Sequence, residues 1–206
     1  MTSVVTDFFS SDQRDALQEI ANVAMGSAGA GLATVLDSFV HLSIPKISLI
    51  SAKRIAPVIS EGPWGNRSVN AVRQAFYNRI NGEAIALFGA EGCTELAELL
   101  GHDRTQPVLE QELLLDVSNI LTGACLSGIG AQLGTDFGFS APSILCQDKT
   151  IEQLFAMHAP PCNEALLIQI DFSVEARSFT CQLLIFMPRE SLVLLHQALA
   201  SFLESL

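Results

Sequence analysis

The sequence has little positive charge. Lysine and arginine together account for 11 of the 206 residues, against 22 aspartates and glutamates, which gives a formal net charge of −11. Proteins bind nucleic acids and anionic membrane surfaces mainly by neutralising phosphate groups with lysine and arginine. This balance therefore predicts no nucleic-acid partner and no anionic membrane surface, and it fits a basic or metal-carrying partner.

Patterns for metal binding and for disulfides are also missing. The four histidines are scattered, and the cysteines are odd in number with no C-x-x-C pair. We therefore expect no metal site and no cofactor belonging to this chain. The expected state of the thiols is reduced and buried, in a cytoplasmic protein. The five cysteines are Cys93, Cys125, Cys146, Cys162 and Cys181.

Long hydrophobic runs are absent as well. No uninterrupted apolar stretch approaches the roughly 18 residues that a membrane span needs. The first residues, MTSVVTDFFSSDQRD, lack the basic start of a secretion signal. We therefore expect no membrane insertion. What the chain does contain is 49% hydrophobic residues with only 16% charged residues, which is typical of a globular protein with a sizeable core.

The two halves of the sequence are similar to each other. When the chain is shifted by 97 positions, residues 15–47 align with residues 112–144 without a gap. The identical pairs are Leu17/Leu114, Asn22/Asn119, Gly26/Gly123, Gly31/Gly128, Leu36/Leu133, Ser43/Ser140, Pro45/Pro142 and Ile47/Ile144. A period of half the chain indicates an internal duplication, because a solenoid needs three or more units. We predict a single domain over 1–206, made of two repeats at about 10–101 and 106–206.

The first repeat is predicted to have the order α-β-β-β-α. Ser10 and Gln13 have the spacing of a capping box, and apolar residues follow them at helical intervals. The strands are expected at about 44–52, 68–80 and 84–89. Asn81-Gly82 suits a tight hairpin, and Gly101 suits the C-cap of a short closing helix.

The second repeat gives the same order. A long helix is expected over Pro107–Leu133, and a closing helix is expected from about Arg189. The strands are expected from about Ser140 onward, at about 165–174 and at about 178–187. Two long surface loops are expected at 53–67 and 148–163. Together these elements predict an α+β fold of pseudo-twofold duplicated αβββα units, with a six-stranded, mainly antiparallel sheet and long helices on one face.

A polar stripe follows each of the two long helices. The stripes consist of Asp15, Glu19, Asn22 and Gly26 in the first helix and of Glu112, Asp116, Asn119 and Gly123 in the second. Spacings of 4, 3 and 4 place each set on one helix face. One interpretation is a solvated face. The other is a helix that presents a carboxylate and an amide, beside a bare turn, to a crevice in another molecule, and recurrence in both halves favours it.

The glycines near the first stripe do not form a nucleotide-binding loop. Gly26, Gly29 and Gly31 match neither G-x-G-x-x-G nor a P-loop, and they follow a helix instead of a strand. A glycine inside a helix costs about 1 kcal/mol relative to alanine, so something is expected to pass close by. For Gly31 and Gly128, which the halves share, we expect tight packing against the other helix or the sheet.

The pattern [D/S]-x3-E-x2-N-x22-P resembles the signature of the CheC/CheX/FliY family, phosphatases that act on the phosphorylated chemotaxis response regulator CheY. The first copy consists of Asp15, Glu19, Asn22 and Pro45, and the second of Glu112, Asp116, Asn119 and Pro142. The first copy matches throughout. The second departs at Glu112, where Asp or Ser is usual, and at Asp116, where Glu is usual. Two copies in one chain are more similar to CheC than to CheX.

The resemblance implies that the chain hydrolyses the aspartyl phosphate of a CheY-like response regulator. Asn22 and Asn119 would orient the attacking water, while Glu19 and Asp116 would pair with a lysine of the regulator. The implied partner contacts are Asp15, Glu112, Gly26 and Gly123. Mg²⁺ is expected on the regulator and not on this chain. Because Asp116 is one methylene shorter than glutamate, we expect Asn22 to dominate, with Asn119 contributing weakly or acting on a different regulator.

A binding module is the second hypothesis. Such a chain would dock a phosphorylated regulator, a flagellar-switch component or a CheD-like deamidase without hydrolysing phosphate; the resemblance includes CheD because CheC associates with that deamidase. The two asparagines favour catalysis, because a pure binder needs no water-orienting amide. Asp116 favours the binding module. Pro45 and Pro142 are interpreted as structural residues between helix and strand.

Overall fold

The computed structural model describes residues 8–89, 92–99, 107–158, 163–175 and 177–205. The helices in these ranges are α1 (Ser11–Leu36), α2 (Ala52–Ile59), α3 (Gly92–Leu99), α4 (Pro107–Leu133), α5 (Ile151–Met157) and α6 (Arg189–Glu204). The strands are β1 (Val40–Leu42), β2 (Lys46–Ser51), β3 (Val69–Asn78), β4 (Gly82–Gly89), β5 (Phe137–Phe139), β6 (Ser143–Lys149), β7 (Glu164–Val174) and β8 (Thr180–Pro188). A π-helical turn, Ser60–Trp64, follows α2.

The first long helix begins as predicted. The backbone N–H of Gln13 donates to the hydroxyl of Ser10, and the side-chain oxygen of Gln13 accepts from the backbone N–H of Ser10 at 3.1 Å. This reciprocal pair is a capping box, so that prediction is confirmed. The helix ends at Asp37, whose φ of 46° is left-handed. Aspartate adopts this conformation more readily than most non-glycine residues, and it therefore stops the helix before β1.

All eight strands belong to one sheet, and every pairing in it is antiparallel. The order is β1-β7-β8-β4-β3-β5, while β2 also pairs with β7 and β6 with β3. The predicted α+β class with a mainly antiparallel sheet is confirmed. Within the described residues, the sheet has eight strands instead of six. The two additional strands, β1 and β5, have three residues each, which is too short for an alternating pattern to be visible in the sequence.

Strands from the two ends of the chain pair with each other. Ile47 of β2 lies opposite Ile168 of β7, and Ile144 of β6 lies opposite Val72 of β3. The first strands that follow each long helix therefore complete the sheet of the other half. The elements of α1 to α3 and of α4 to α6 follow in the same order. This order suits a duplication into about 10–101 and 106–206, which remains a prediction. The predicted C-cap at Gly101 lies outside the described residues.

The two faces of the sheet are covered by different helices. The long helices α1, α4 and α6 pack on one face, where Leu17, Leu114 and Leu195 are buried. The short helices α2 and α5 pack on the other face, where Ile59 and Leu154 are buried. The prediction of long helices on one face is confirmed, and each face has its own apolar core.

The segments 53–67 and 148–163 are not the two long loops that the sequence predicted. The first contains most of α2 and the π-helical turn, and the second contains α5. Thr150 starts α5 with a capping box of its own, in which Gln153 is the partner. Both short helices bury isoleucine side chains against the sheet, such as Ile55. They form because this face of the sheet is apolar and would otherwise be exposed to water.

Strands β3 and β4 form a hairpin with a longer turn than predicted. Phe76 lies opposite Gly82, so residues 77–81 connect the paired residues. A two-residue turn at Asn81-Gly82 is therefore wrong. Gly82 is needed for a different reason: a Cβ there would stand 2.2 Å from the carbonyl oxygen of Phe186. The close approach of β8, and not the turn, accounts for this glycine.

The helices α1 and α4 are long and apolar enough to cross a membrane by length and composition alone. In the structure, 44% of the most apolar stretch of α1 and 56% of that of α4 are buried. The two helices pack on each other and on the sheet. The core helices of globular proteins pass the same test of length and composition. Burial in this core accounts for their apolar character.

Candidate functional site

The first polar stripe lies on the outer side of α1, and we call it the first surface site. It consists of Asp15, Glu19, Asn22 and Gly26, which are all exposed. The side chains of the first three make no hydrogen bond and no ion pair within the described part of the chain. The opposite side of the helix is buried, with Leu17 in the core. The polar groups at this site are therefore available to a molecule from outside.

The second polar stripe lies on the outer side of α4, and we call it the second surface site. It consists of Glu112, Asp116 and Asn119, which are exposed, and Gly123, which is partly exposed. The two helices pack antiparallel, with Gly31 facing Ile120 and Gly128 facing Ala24. The structure therefore does not bring the two sites together but places them toward opposite ends of the helix pair.

The glycines of the two sites are not required by the packing of this chain. A Cβ on Gly26 or Gly123 would meet nothing within 4 Å. At Gly128, by contrast, a Cβ would stand 2.8 Å from the Cα of Ala24, so the prediction of tight packing there is confirmed. The same prediction is wrong for Gly31, where the nearest atom would be 3.8 Å away. A glycine inside a helix costs about 1 kcal/mol of helix stability relative to alanine. Because the packing of this chain does not require Gly26 or Gly123, their presence favours an interpretation in which a partner approaches these turns closely.

Hydrogen bonds hold the turn before β2 in place beside the first surface site. The side-chain amide of Gln18 donates to the carbonyl oxygen of Pro45 at 3.0 Å, and Pro45 is buried. Ser43 exchanges two hydrogen bonds of 3.0 Å with the backbone of Asp171. In the second half, Ser140 makes the same pair of bonds to the backbone of Ala75 in β3. These contacts fit a structural role for Pro45 and fix the turn against both helix and sheet.

Two exposed apolar side chains lie near the first surface site. Val23, which follows Asn22, is 46% exposed, and Ile44, in the turn before β2, is 76% exposed. The corresponding residues of the second half are Ile120, which is half-buried, and the small Ala141. Exposed apolar side chains around polar groups are typical of protein interaction sites. At these two pairs of corresponding positions, only the first site carries two large exposed apolar side chains.

The asparagines of the two sites differ in their surroundings. Gln74 of β3 is only 1% exposed, and its side-chain amide donates to Oδ1 of Asn119 and to the carbonyl oxygen of Ser140, both at 2.9 Å. Asn22 has no such partner within the described residues. The amide of Asn22 can therefore both donate to and accept from an incoming molecule. The oxygen of Asn119, by contrast, is turned toward Gln74 of the sheet, which occupies one of its two lone pairs.

Sequence reasoning missed Gln74 and Gln18 because neither belongs to a stripe. Gln74 is 45 residues from Asn119 along the chain. One signal was present in the strand VNAVRQAFYN, where Gln74 lies on the same face as Val72 and Phe76, which are both buried. A polar residue at an inward position predicts a buried hydrogen bond. The identity of the partner does not follow from that signal.

The carboxylates of the first surface site form a small acidic surface. Asp15 and Glu19 are exposed, and neither forms an ion pair among the described residues. In the ranges that the structure describes, no group of three or more histidine, cysteine, aspartate or glutamate side chains could hold a metal ion. Such a surface is complementary to a partner that carries a lysine or a bound metal ion.

The fold of this chain is shared with solved structures of other proteins. Among them are FliY, the FliM middle domain and the chemotaxis protein CheX. The resemblance to the CheC/CheX/FliY family is thereby confirmed at the level of the fold. No family model matches the sequence.

Three solved structures illustrate this similarity. FliY from Thermotoga maritima has a TM-score of 0.70 and 13% identity, covering 94% of this chain and 98% of that one. The FliM middle domain from Vibrio alginolyticus has a TM-score of 0.62 and 11% identity, with coverage of 89% and 99%. CheX from Desulfovibrio desulfuricans has a TM-score of 0.53 and 15% identity, with coverage of 81% and 99%. At these identities the similarity concerns the fold alone.

Proposed function

We propose that this chain is a cytoplasmic phosphatase that hydrolyses the aspartyl phosphate of a CheY-like response regulator at its first surface site. The observation that carries the proposal is the exposed amide of Asn22, free to donate and to accept, one turn from the open space above Gly26. Glu19 lies one turn before Asn22 on the same face. The arrangement suits a helix that enters a crevice and delivers two polar groups to its end.

The reaction needs an attacking water in line with the leaving group. The water oxygen forms a bond to phosphorus, the bond from phosphorus to the aspartate oxygen breaks, and the carboxylate leaves with the electron pair. The water proton passes to the released phosphate. Catalysis of phosphoryl transfer depends mainly on positioning and charge stabilisation. An asparagine amide can hold a water without acting as a base, because it has a donor and an acceptor together.

The remaining residues of the site would hold the regulator in register. Glu19 would form an ion pair with a lysine beside the acyl phosphate, and Asp15 would contact the rim of the crevice. The exposed side chains of Val23 and Ile44 would become buried against apolar residues of the regulator. The Mg²⁺ ion would arrive on the substrate, so no metal ligand is needed on this chain.

A single-turnover assay tests the proposal. A phosphorylated CheY-like receiver domain is mixed with excess protein, and the loss of phosphate is followed over time. We expect Asn22→Ala to reduce the added hydrolysis on the order of 100-fold, as the loss of a positioning group does. Thr34→Ala, an exposed change on the same helix that leaves the stripe intact, is the matched control. If neither the natural protein nor the control accelerates phosphate loss, the proposal is wrong.

The role of Glu19 has a separate readout. We expect Glu19→Gln to raise the protein concentration needed for half-maximal hydrolysis several-fold at low salt and to weaken the salt dependence, because an interface charge pair acts mainly on association. Glu204→Gln, which removes an exposed charge from α6, controls for the change in net charge. Equal effects of the two changes would contradict an ion pair at the site.

A non-catalytic adaptor for a response regulator or a CheD-like deamidase is the second candidate function. It is favoured by the fold shared with FliM, which one solved structure shows in a complex with SpeE. Asp116, which shortens the carboxylate of the second surface site, also favours it. Binding of the receiver with no change in its rate of phosphate loss would support the adaptor.

A further inference from the structure

Gln74 is a polar residue where the sheet otherwise buries apolar side chains. Its neighbours on the same face of β3, Val72 and Phe76, are fully buried. Its amide nitrogen donates to Asn119 and to the carbonyl oxygen of Ser140, but its own oxygen is buried and has no hydrogen-bond partner among the described residues. A buried polar group without a partner costs about 1–3 kcal/mol. The buried oxygen of Gln74 therefore lowers the stability of the folded protein, and the glutamine is present despite this loss.

At the first surface site, an apolar residue takes the corresponding place. The hydroxyls of Ser140 and Ser43 accept hydrogen bonds from the backbone N–H groups of the residues that follow Gln74 and Ile170. Gln74 and Ile170 are therefore equivalent positions, and both are 1% exposed. An isoleucine fills this space without an unpaired oxygen, and it offers no hydrogen bond to Asn22. The fold does not require glutamine here.

The bond from Gln74 decides which end of the Asn119 amide faces outward. The oxygen and the nitrogen of an amide lie on different sides of the same carbon. When the oxygen is turned toward the buried Gln74, the NH₂ group is directed away from it, to the outside. An NH₂ group only donates hydrogen bonds. It can donate to a phosphoryl oxygen, but it cannot accept a hydrogen bond from a water molecule.

We propose that Gln74 is a positioning residue that makes the second surface site a dock for the phosphoryl group, while hydrolysis is confined to the first surface site. The proposal rests on the proposed function, because it assumes the same phosphorylated receiver at both sites. Asp116 agrees with it, since binding tolerates a shortened carboxylate better than in-line attack does. The chain holds one phosphorylated receiver at Asn119 and hydrolyses another at Asn22.

The first experiment concerns the free protein and needs no receiver. Side-chain NH₂ signals of Asn22 and Asn119 are compared by NMR in the natural protein and in Gln74→Leu. We expect Asn119 to be rigid and to show a contact with Gln74, whereas Asn22 is mobile. In Gln74→Leu, Asn119 should become as mobile as Asn22, while Asn22 is unchanged. If Asn119 is already as mobile as Asn22 in the natural protein, Gln74 positions nothing and the proposal is overturned.

The second experiment separates binding from hydrolysis. In a background that combines Asn22→Ala with Glu19→Arg, the first surface site has lost its amide and carries the wrong charge for a lysine of the receiver, so binding there is suppressed. Binding of a beryllofluoride-activated CheY-like receiver to this protein is measured beside the hydrolysis of its phosphorylated form. We expect binding without added hydrolysis, and at least tenfold weaker binding when Gln74→Leu is added. Asn119→Asp, which removes the NH₂ donor, should weaken binding as strongly, and Gln74→Asn tests whether another amide restores it.

The outcomes distinguish this inference from the proposed function. Hydrolysis by the Asn22→Ala protein that Asn119→Ala removes would show a catalytic second site and overturn the inference, while the proposed function stands. Unchanged binding in Gln74→Leu would also overturn it. If the natural protein does not hydrolyse the phosphorylated receiver at all, the proposed function fails, and the binding arm alone then decides whether Asn119 is a phosphoryl dock.

Discussion

Gly128 of α4 lies against Ala24 of α1 so closely that a Cβ added to Gly128 would stand 2.8 Å from the Cα and 2.9 Å from the Cβ of Ala24. The contact joins the two antiparallel helices that carry the two surface sites. Because one of the opposing atoms belongs to the backbone, a side-chain rotation cannot relieve the clash. The helices would have to move apart along this contact.

We therefore expect Gly128→Ala to destabilise the protein. Overpacking of a close contact typically costs about 1–3 kcal/mol, which exceeds the gain in helix propensity of at most about 1 kcal/mol. Urea unfolding followed by circular dichroism measures the change. A free energy of unfolding equal to or above that of the natural protein would mean that the helices separate without cost.

Gly26→Ala should have the opposite effect on stability. Its Cβ would meet nothing within 4 Å, so the change should raise the free energy of unfolding by up to about 1 kcal/mol through helix propensity. It should also slow hydrolysis of the phosphorylated receiver, because the new methyl group lies where the partner approaches. Ser27→Ala, one residue further, is the matched control. A more stable protein with undiminished hydrolysis would show that the bare turn has no role in docking.

Gln182→Leu should destabilise the face of the sheet that carries α2. The indole N–H of Trp64 donates to the side-chain oxygen of Gln182 at 2.9 Å, and the amide of Gln182 donates to Asp171 at 2.7 Å. Without Gln182, the buried indole N–H has no partner, which costs about 1–3 kcal/mol. Combining the change with Trp64→Phe should recover part of this loss, since no donor is then left unpaired. Fully additive losses in urea unfolding would show that the two residues are not coupled.

Cys125 should not react with thiol reagents in the folded protein. Burial inside α4 raises the pKa of its thiol to about 12, and the thiolate is the reactive form. At pH 8 we expect no labelling of Cys125 by iodoacetamide in buffer and complete labelling in urea, measured by mass spectrometry of the peptide that contains it. Labelling of Cys125 in buffer at the rate seen in urea would mean that α4 opens readily.

Much of the fold could be predicted because local signals and long-range packing agree. The capping box of Ser10 and Gln13 and the start of α6 at Arg189 follow from short patterns, and the structure confirms both. The polar stripes could be predicted as exposed because 3.6-residue periodicity separates them from the buried side of each helix. Their chemical roles remain predictions.

The features that could not be predicted depend on contacts between distant segments. Gly82 is explained by the carbonyl oxygen of Phe186, and the amide of Asn119 is explained by Gln74. Helices α2 and α5 form where the sheet supplies an apolar surface, and short segments alone show no sustained period. In each case the residue type can be read from the sequence, but the residue that it contacts is known only from the structure.

The exchange of strands between halves has a consequence for biosynthesis. Lys46 of β2 finds its partner, Gln169, only after most of the chain has left the ribosome. Until then the first half has an unpaired strand edge and an uncovered apolar surface, which favour aggregation of nascent chains. A gene cut between the two halves should therefore yield fragments that are insoluble when made separately and recoverable when made together.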